Sequence, residues 1–226
     1  MITEQVTGRD NTGLVELEIG TKSFLVHNDV RQDLSALAHA AHLAGFHLFV
    51  ASGYRSFEQQ LNIWNGKMLG QRIVLDDQSQ RLDINILSEE ERVLAILKWS
   101  ALPGASRHHW GTDFDVYAGN LLPQDTSLKL EPWEYLSGHQ EKFYQWLKEN
   151  VGRYGFFFPY TENGSGVAFE PWHISHKACA TQHLNDLTLH TLTDLIEQSS
   201  ILGREAVLSK LEYIYNTYIN TAATRG

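Results

Sequence analysis

The sequence predicts an α+β fold: a mostly antiparallel central sheet flanked by helices on one face and at its edges, with a helical extension at the C-terminus. Three observations carry this. Short runs rich in alternating apolar residues occur at 14–27, 46–51 and 113–117. Helix starts are marked by Ser56 with Gln59 three residues on, and by Ser88 followed by Glu89, Glu90 and Glu91. Apolar residues make up 42% of the 226-residue chain and no Pro/Gly/Ser-rich linker divides it, which suits one well-buried core.

The elements follow in order. Residues 14–27 read as two strands joined at Gly20-Thr21-Lys22. Asn28 or Asp29 is expected to cap a helix that buries Leu34, Leu37, Ala38 and Ala41 and stops at Gly45. His39 and His42 lie on that helix and read as an ordinary solvated face, since no third ligand accompanies them. A strand over 46–51 leads through Ser52-Gly53-Tyr54-Arg55-Ser56 into a helix over 57–68. Residues 71–87 read as an irregular insertion, and the helix from Ser88 ends before Pro103-Gly104. Asp113–Tyr117 is a strand with Asp113 and Asp115 on one face and Phe114 and Val116 on the other. A helix over 140–150 buries Phe143, Trp146 and Leu147, and Val167–Glu170 reads as a strand. From His183 to Asn220 the pattern is helical with a break near Gly203, and Tyr213, Tyr215 and Tyr218 form a packing face. The domain is expected to span 1–182, with 183–226 packed upon it.

A net charge of −9 disfavours a phosphate-tracking surface, so nucleic acid is not an expected partner. The single cysteine, Cys179, excludes an intrachain disulfide framework. The first residues show no basic region followed by an apolar run, and no stretch approaches the roughly 20 apolar residues of a membrane span. The expectation is a cytoplasmic protein without membrane association, a monomer or homodimer.

Two segments carry chemistry. Ser106-Arg107-His108-His109-Trp110-Gly111-Thr112-Asp113-Phe114-Asp115 and Glu170-Pro171-Trp172-His173 together offer two imidazoles, a carboxylate and a further acid/base. That is the minimum set for a hydrolytic zinc site: three protein ligands, an open position for water, and a nearby proton acceptor. His108 and Asp115 lie seven residues apart, and Gly111 between them lets the loop fold both onto one ion. Pro171 favours an extended, turning backbone, in which His173 ligates and Glu170 reaches the bound water. His109 and His176 are the decoys for His108 and His173, expected beside the site or at the surface. No His-Glu-x-x-His, Cys-x-x-Cys, Gly-x-Ser-x-Gly or Gly-rich phosphate loop is present. Two histidines and one carboxylate also suit a non-haem iron centre by ligand type alone.

The pattern Ser-x-His-x-x-Gly-x-x-x-Asp, followed by Glu-Pro-Trp-His and preceded by Ser-Gly-Tyr-Arg-Ser, resembles the VanY-like zinc D-alanyl-D-alanine carboxypeptidases. These belong to the group that includes lysostaphin-type peptidases and hedgehog domains. The resemblance covers roughly 25–180 and implies one zinc ion per chain, held by His108, Asp115 and His173, with Glu170 as catalytic base. It also implies that Arg55, Gln59 and Ser106 contact a small peptide substrate near its terminal D-alanine. A guanidinium suits a free carboxylate or a developing oxyanion, so Arg55 serves binding, catalysis or both. Tyr54 and Trp172 are candidates for the pocket wall and equally for the core.

Two departures from the family pattern stand out. Alanine is common where this chain has Asp113, and an aromatic or arginine pair often follows Trp-His, where this chain has Ile174-Ser175. Asp113 is expected either to orient a ligand imidazole or to bind the substrate's amino group. The implied reaction is release of D-alanine from peptidoglycan stem peptides. A cytoplasmic setting favours an L,D-carboxypeptidase acting on tetrapeptides in wall recycling. D,D-carboxypeptidase or dipeptidase activity is the alternative, and an endopeptidase or a non-catalytic zinc-bearing module stands behind it.

Overall fold

The computed structural model describes residues 2–76, 78–164 and 166–221. In chain order the elements are α1 (Ile2–Val6), β1 (Leu14–Ile19), β2 (Lys22–His27), α2 (Arg31–Leu43), β3 (Leu48–Ser52), α3 (Phe57–Met68), α4 (Glu89–Leu97), β4 (Asp113–Ala118), α5 (Pro132–Leu136), α6 (Glu141–Asn150), β5 (Phe156–Phe157), β6 (His173–His176), α7 (Lys177–Asp186), α8 (Leu189–Glu197), α9 (Arg204–Ser209) and α10 (Leu211–Ile214). β1 and β2 form a hairpin, and a four-stranded sheet runs in the order β3-β4-β6-β5, every pairing antiparallel. The fold is α+β, as the sequence predicts.

Alternation along β4 divides its side chains between core and site. Phe114, Val116 and Ala118 are fully buried in a core shared with Leu34 and Leu37 of α2 and Phe143 and Leu147 of α6. Asp113 and Asp115 take the opposite face, and the register sets Asp115 across from His173 and Asp113 across from Ser175. Directly opposed residues of an antiparallel pair project to the same face, so this register alone brings residues of the two distant segments together. At the other edge a register shift lies between Val50 and Ser52, where β3 turns toward Arg55.

A second core joins α3 and α4 to the C-terminal helices. Phe57, Leu61 and Trp64 of α3 and Val93 and Ile96 of α4 pack with Leu192, Leu195 and Ile196 of α8 and Val207 of α9. Trp64 is fully buried, and its indole N–H donates to the Leu202 carbonyl at 3.0 Å. Trp64→Ala is expected to cost about 3–5 kcal/mol by emptying this core, measured as a fall in denaturant midpoint. No described helix is long and apolar enough to cross a membrane.

Some local expectations need correction. Val167–Glu170 is not a strand: sheet pairing starts at His173, and the preceding residues turn over the site. The N-cap of α2 is Val30, without a side-chain cap, because Asn28 and Asp29 are used in the turn leaving β2. Helix resumes at Lys177, earlier than the pattern from His183 suggests, since the His176 imidazole accepts the Cys179 N–H and serves as the cap. Helix α5 is absent from the sequence reading: it is a single short turn opened by Pro132, too brief to show periodicity. Tyr213 is exposed, whereas Tyr215 and Tyr218 pack.

Candidate active site

The loop ahead of β4 begins as a short 3₁₀ turn, Arg107–Trp110, and reverses at Gly111, which has φ +65°. A Cβ at Gly111 would stand 2.9 Å from the backbone nitrogen of His27, so no side chain fits there. The reversal folds His108 back over the start of β4. In the second segment, the His173 N–H donates to the Glu170 carbonyl at 3.1 Å, closing a turn that lays the Glu170 side chain beside the imidazole.

One donor atom each from His108, Asp115 and His173 lies within 4.8 Å of the others, and all three residues are buried. The ring tautomers follow from hydrogen bonds on the far side of each imidazole. His108 Nδ1 contacts the backbone carbonyl of Asp113 at 3.2 Å, so Nδ1–H donates and Nε2 faces Asp115 Oδ2 at 3.5 Å. His173 is turned the other way. Its Nε2–H donates to Asp113 Oδ1 at 3.0 Å, leaving Nδ1 toward Asp115 Oδ1 at 3.2 Å and Glu170 Oε2 at 3.4 Å. Asp115 Oδ1 is buried with no hydrogen-bond partner among the described residues. Two lone-pair nitrogens and an orphaned carboxylate oxygen converging in this way fit a divalent cation with nitrogen and oxygen ligands.

The electrostatics agree. Burial pushes the His173 imidazole down, but the Asp113 carboxylate that accepts its Nε2–H, with the carboxylates of Asp115 and Glu170 beside Nδ1, outweighs it and raises its pKa well above the usual value. Burial pushes the Asp115 carboxyl up, yet the neighbouring imidazoles of His108 and His173 hold it well below the usual range. The site therefore holds positive charge strongly, as a proton on His173 or as a metal ion in its place.

Asp113 is fully buried and does not line the cavity. Its carboxylate accepts from His173, from Arg107 Nε at 2.7 Å and from Thr112 Oγ1 at 2.6 Å. Arg107 in turn donates to Ser175 Oγ at 2.6 Å and stacks on Trp110. Burial raises the Asp113 carboxyl, and Arg107 with these donors more than reverses that. Of the two roles expected of Asp113, its contacts fit the orienting of an imidazole rather than a substrate contact. Its carboxylate bonds one imidazole of the triad and its backbone carbonyl the other. Both departures from the family pattern, Asp113 and Ser175, meet on one arginine.

A cavity of about 260 Å³ opens beside the three donors, lined among others by Arg55, Lys67, Ser106, Tyr160, Glu170 and Trp172. Arg55 is held by two hydrogen bonds, Nη1 to Gln60 Oε1 and Nη2 to Ser52 Oγ, each 2.8 Å. Its carbonyl accepts from His109 Nδ1–H at 2.6 Å, while His109 Nε2 accepts the Gly104 N–H at 3.1 Å. Burial pulls His109 down to about 3, so this decoy is a neutral internal brace rather than a ligand or surface residue. His176, the second decoy, is buried and bonded to Asp33 at 3.0 Å. Tyr160, silent in the sequence, sets its ring edge-on to His173 at 4.9 Å, and burial pushes its hydroxyl up to about 12.

Two sequence candidates lie elsewhere. Gln59 is exposed and spent in the capping box of α3, its Oε1 accepting the Ser56 N–H at 2.9 Å. Gln60 takes the inner position, because Phe57, Gln60, Leu61, Trp64 and Met68 form the buried stripe of that helix. Tyr54 lines a separate depression with Arg9, Asp10 and Glu58. Ser106 and Trp172 do line the cavity, and both are almost completely buried.

The chain is 36% identical over 121 residues to an uncharacterized protein of Haemophilus influenzae, covering 52% of this chain and 92% of that one. Its fold is similar to that of a vancomycin-resistance D,D-pentapeptidase VanY in complex with Zn(II), with a TM-score of 0.52 and 24% identity, covering 88% of this chain and 92% of that chain. It is similar also to the LdcB LD-carboxypeptidase, with a TM-score of 0.53 and 22% identity, covering 78% and 75% of the two chains. The family model for the D-alanyl-D-alanine carboxypeptidase VanY matches residues 23–179, a span containing every donor described above. The chain belongs to this VanY family of D-alanyl-D-alanine carboxypeptidases, a family of zinc-dependent peptidases.

Proposed function

We propose that this protein is a zinc carboxypeptidase that releases the C-terminal D-alanine of peptidoglycan stem peptides, acting as an L,D-carboxypeptidase on tetrapeptides. The observation that carries the reading is the convergence of His108, Asp115 and His173 at the floor of a cleft that also holds Glu170 and Arg55. His108 Nε2, His173 Nδ1 and an Asp115 oxygen would hold the zinc. When bound, zinc supplies Lewis-acid polarisation and lowers the pKa of a coordinated water to about 7.

The protein's own groups do the rest. Glu170 takes the proton of the attacking water and passes it to the departing amine. Arg55, fixed by Gln60 and Ser52, keeps its remaining donors for a substrate carboxylate or the developing oxyanion. Ser106 contributes to the wall near the leaving D-alanine, and Trp172 closes that wall against water.

Preference for the L,D bond is consistent with the mixed lining of the cleft. Leu75, Trp99 and Leu130 line it as well as Arg55 and Lys67, so apolar and cationic groups are both available to a residue longer than D-alanine before the scissile bond. Such tetrapeptides return from wall turnover, and we place the reaction in the cytoplasm, where cell fractionation would find the protein. The test of specificity is incubation of zinc-loaded protein with purified tetrapeptide and pentapeptide, following D-alanine release by mass. Release from the tetrapeptide, abolished by chelator and restored by zinc, is expected. Cleavage of the pentapeptide alone would make the enzyme a D,D-carboxypeptidase.

A further inference from the structure

Helix α3 carries a second group into the cleft. Gln60 and Lys67 are seven residues apart, two helical turns, and therefore share a face. Gln60 uses that position to hold Arg55, and Lys67 lines the same cavity as Arg55 and Glu170. Arg72 approaches from the turn after the helix, its side chain lying against Gly66. Among the described residues no hydrogen bond or ion pair engages the Lys67 ammonium, although it is mostly withdrawn from water. Burial pulls that ammonium down to about 8, the charge of Glu170 opposing the fall and Arg72 and Arg55 adding to it.

A partly desolvated cation without a partner is costly unless its surroundings supply an anion at some stage of the working cycle. Glu170 lines the same cleft and its charge acts on Lys67, but it sits 3.4 Å from His173 Nδ1 and makes no ion pair with Lys67 among the described residues. The missing anion must then arrive with the ligand. We propose that Lys67 is a carboxylate-binding residue of the cleft, a subsite distinct from Arg55 for an anionic group of the peptide. This rests on the peptidase reading above. Two carboxylates of the substrate class have the required chemistry: the α-carboxylate of the leaving residue, and the side-chain carboxylate of a diaminodicarboxylic residue before the scissile bond.

The test compares unsubstituted protein, Lys67→Met and Lys67→Arg on two tetrapeptides that differ only in the third residue, meso-diaminopimelate or lysine. Binding is also measured calorimetrically on the Glu170→Gln background, and thermal unfolding verifies the fold. One charge-assisted hydrogen bond corresponds to a change of roughly tenfold or more. If Lys67 meets the side-chain carboxylate, Lys67→Met raises KM and Kd for the diaminopimelate peptide alone. If it meets the terminal carboxylate, both peptides weaken together, and competition by D-alanine but not by D-alaninamide is lost. Lys67→Arg recovers binding in either case. Unchanged KM and Kd for both peptides overturns the proposal, as does a fall confined to kcat, which would make Lys67 a partner of Glu170. Failure of the unsubstituted protein to release D-alanine from any peptide would instead count against the peptidase reading, and the binding measurement would still decide on Lys67.

Discussion

Exchanging Glu170 for glutamine is expected to lower kcat by roughly 10²–10⁴-fold, the usual contribution of a positioned general base. Glutamine has nearly the same shape and still reaches the zone beside His173 Nδ1, where Glu170 Oε2 stands at 3.4 Å. It cannot accept a proton from water. The metal donors are other residues, so metal content should remain at one equivalent by elemental analysis, and KM should move little. This pattern of normal metal, near-normal KM and collapsed kcat separates a base from a ligand. A glutamine variant that kept kcat within a fewfold of the unsubstituted enzyme would remove Glu170 from the mechanism. One that lost the metal would make it a ligand.

The second large effect is expected at Asp113, outside the cavity. Asp113→Ala removes the acceptor of His173 Nε2–H and the partner of Arg107, which is only 4% exposed. Loss of a group that orients a ligand imidazole typically weakens metal binding by about 10–100-fold. An uncompensated buried guanidinium costs a further ~3–5 kcal/mol of stability. Chelator competition reads the first and denaturant unfolding the second. Combining Asp113→Ala with Arg107→Met should recover much of the stability, because both charges leave together, while metal affinity stays low. Equal metal affinity in Asp113→Ala and unsubstituted protein would show that the backbone alone orients His173.

Asp113 also shows why the family pattern is not a sufficient guide to this chain. Arg107, Asp113 and Ser175 stand at three separate sequence positions, and although Asp113 and Ser175 stand out as departures from the family pattern, nothing local links either to Arg107. Only pairing of β4 with β6 sets Asp113 opposite Ser175 and gives the buried guanidinium partners on both strands. Gln59 and Gln60 teach the complementary lesson. The capping box was visible in the sequence and already engaged Gln59, and the helical stripe of Phe57, Leu61 and Trp64 already pointed Gln60 inward. That assignment was available from local periodicity. The placement of Lys67 in the cleft was not, since a lysine on a helix ordinarily extends to solvent and nothing nearby in sequence announces a cavity.

By itself the sequence determined what depends on neighbours within a few residues. Alternation in Asp113–Ala118, the capping boxes at Ser56 and Ser88, and the reversal at Gly111 are all local matters of backbone conformation and side-chain spacing. The donor types of the two chemical segments were legible for the same reason. Tertiary structure alone decided which ring nitrogen of each histidine faces the cleft, what orients it, and that Lys67 joins Arg55 in the cleft with Glu170. Those outcomes depend on strand register and on hydrogen bonds between residues up to 68 positions apart, where burial turns small differences in placement into large differences in charge energy.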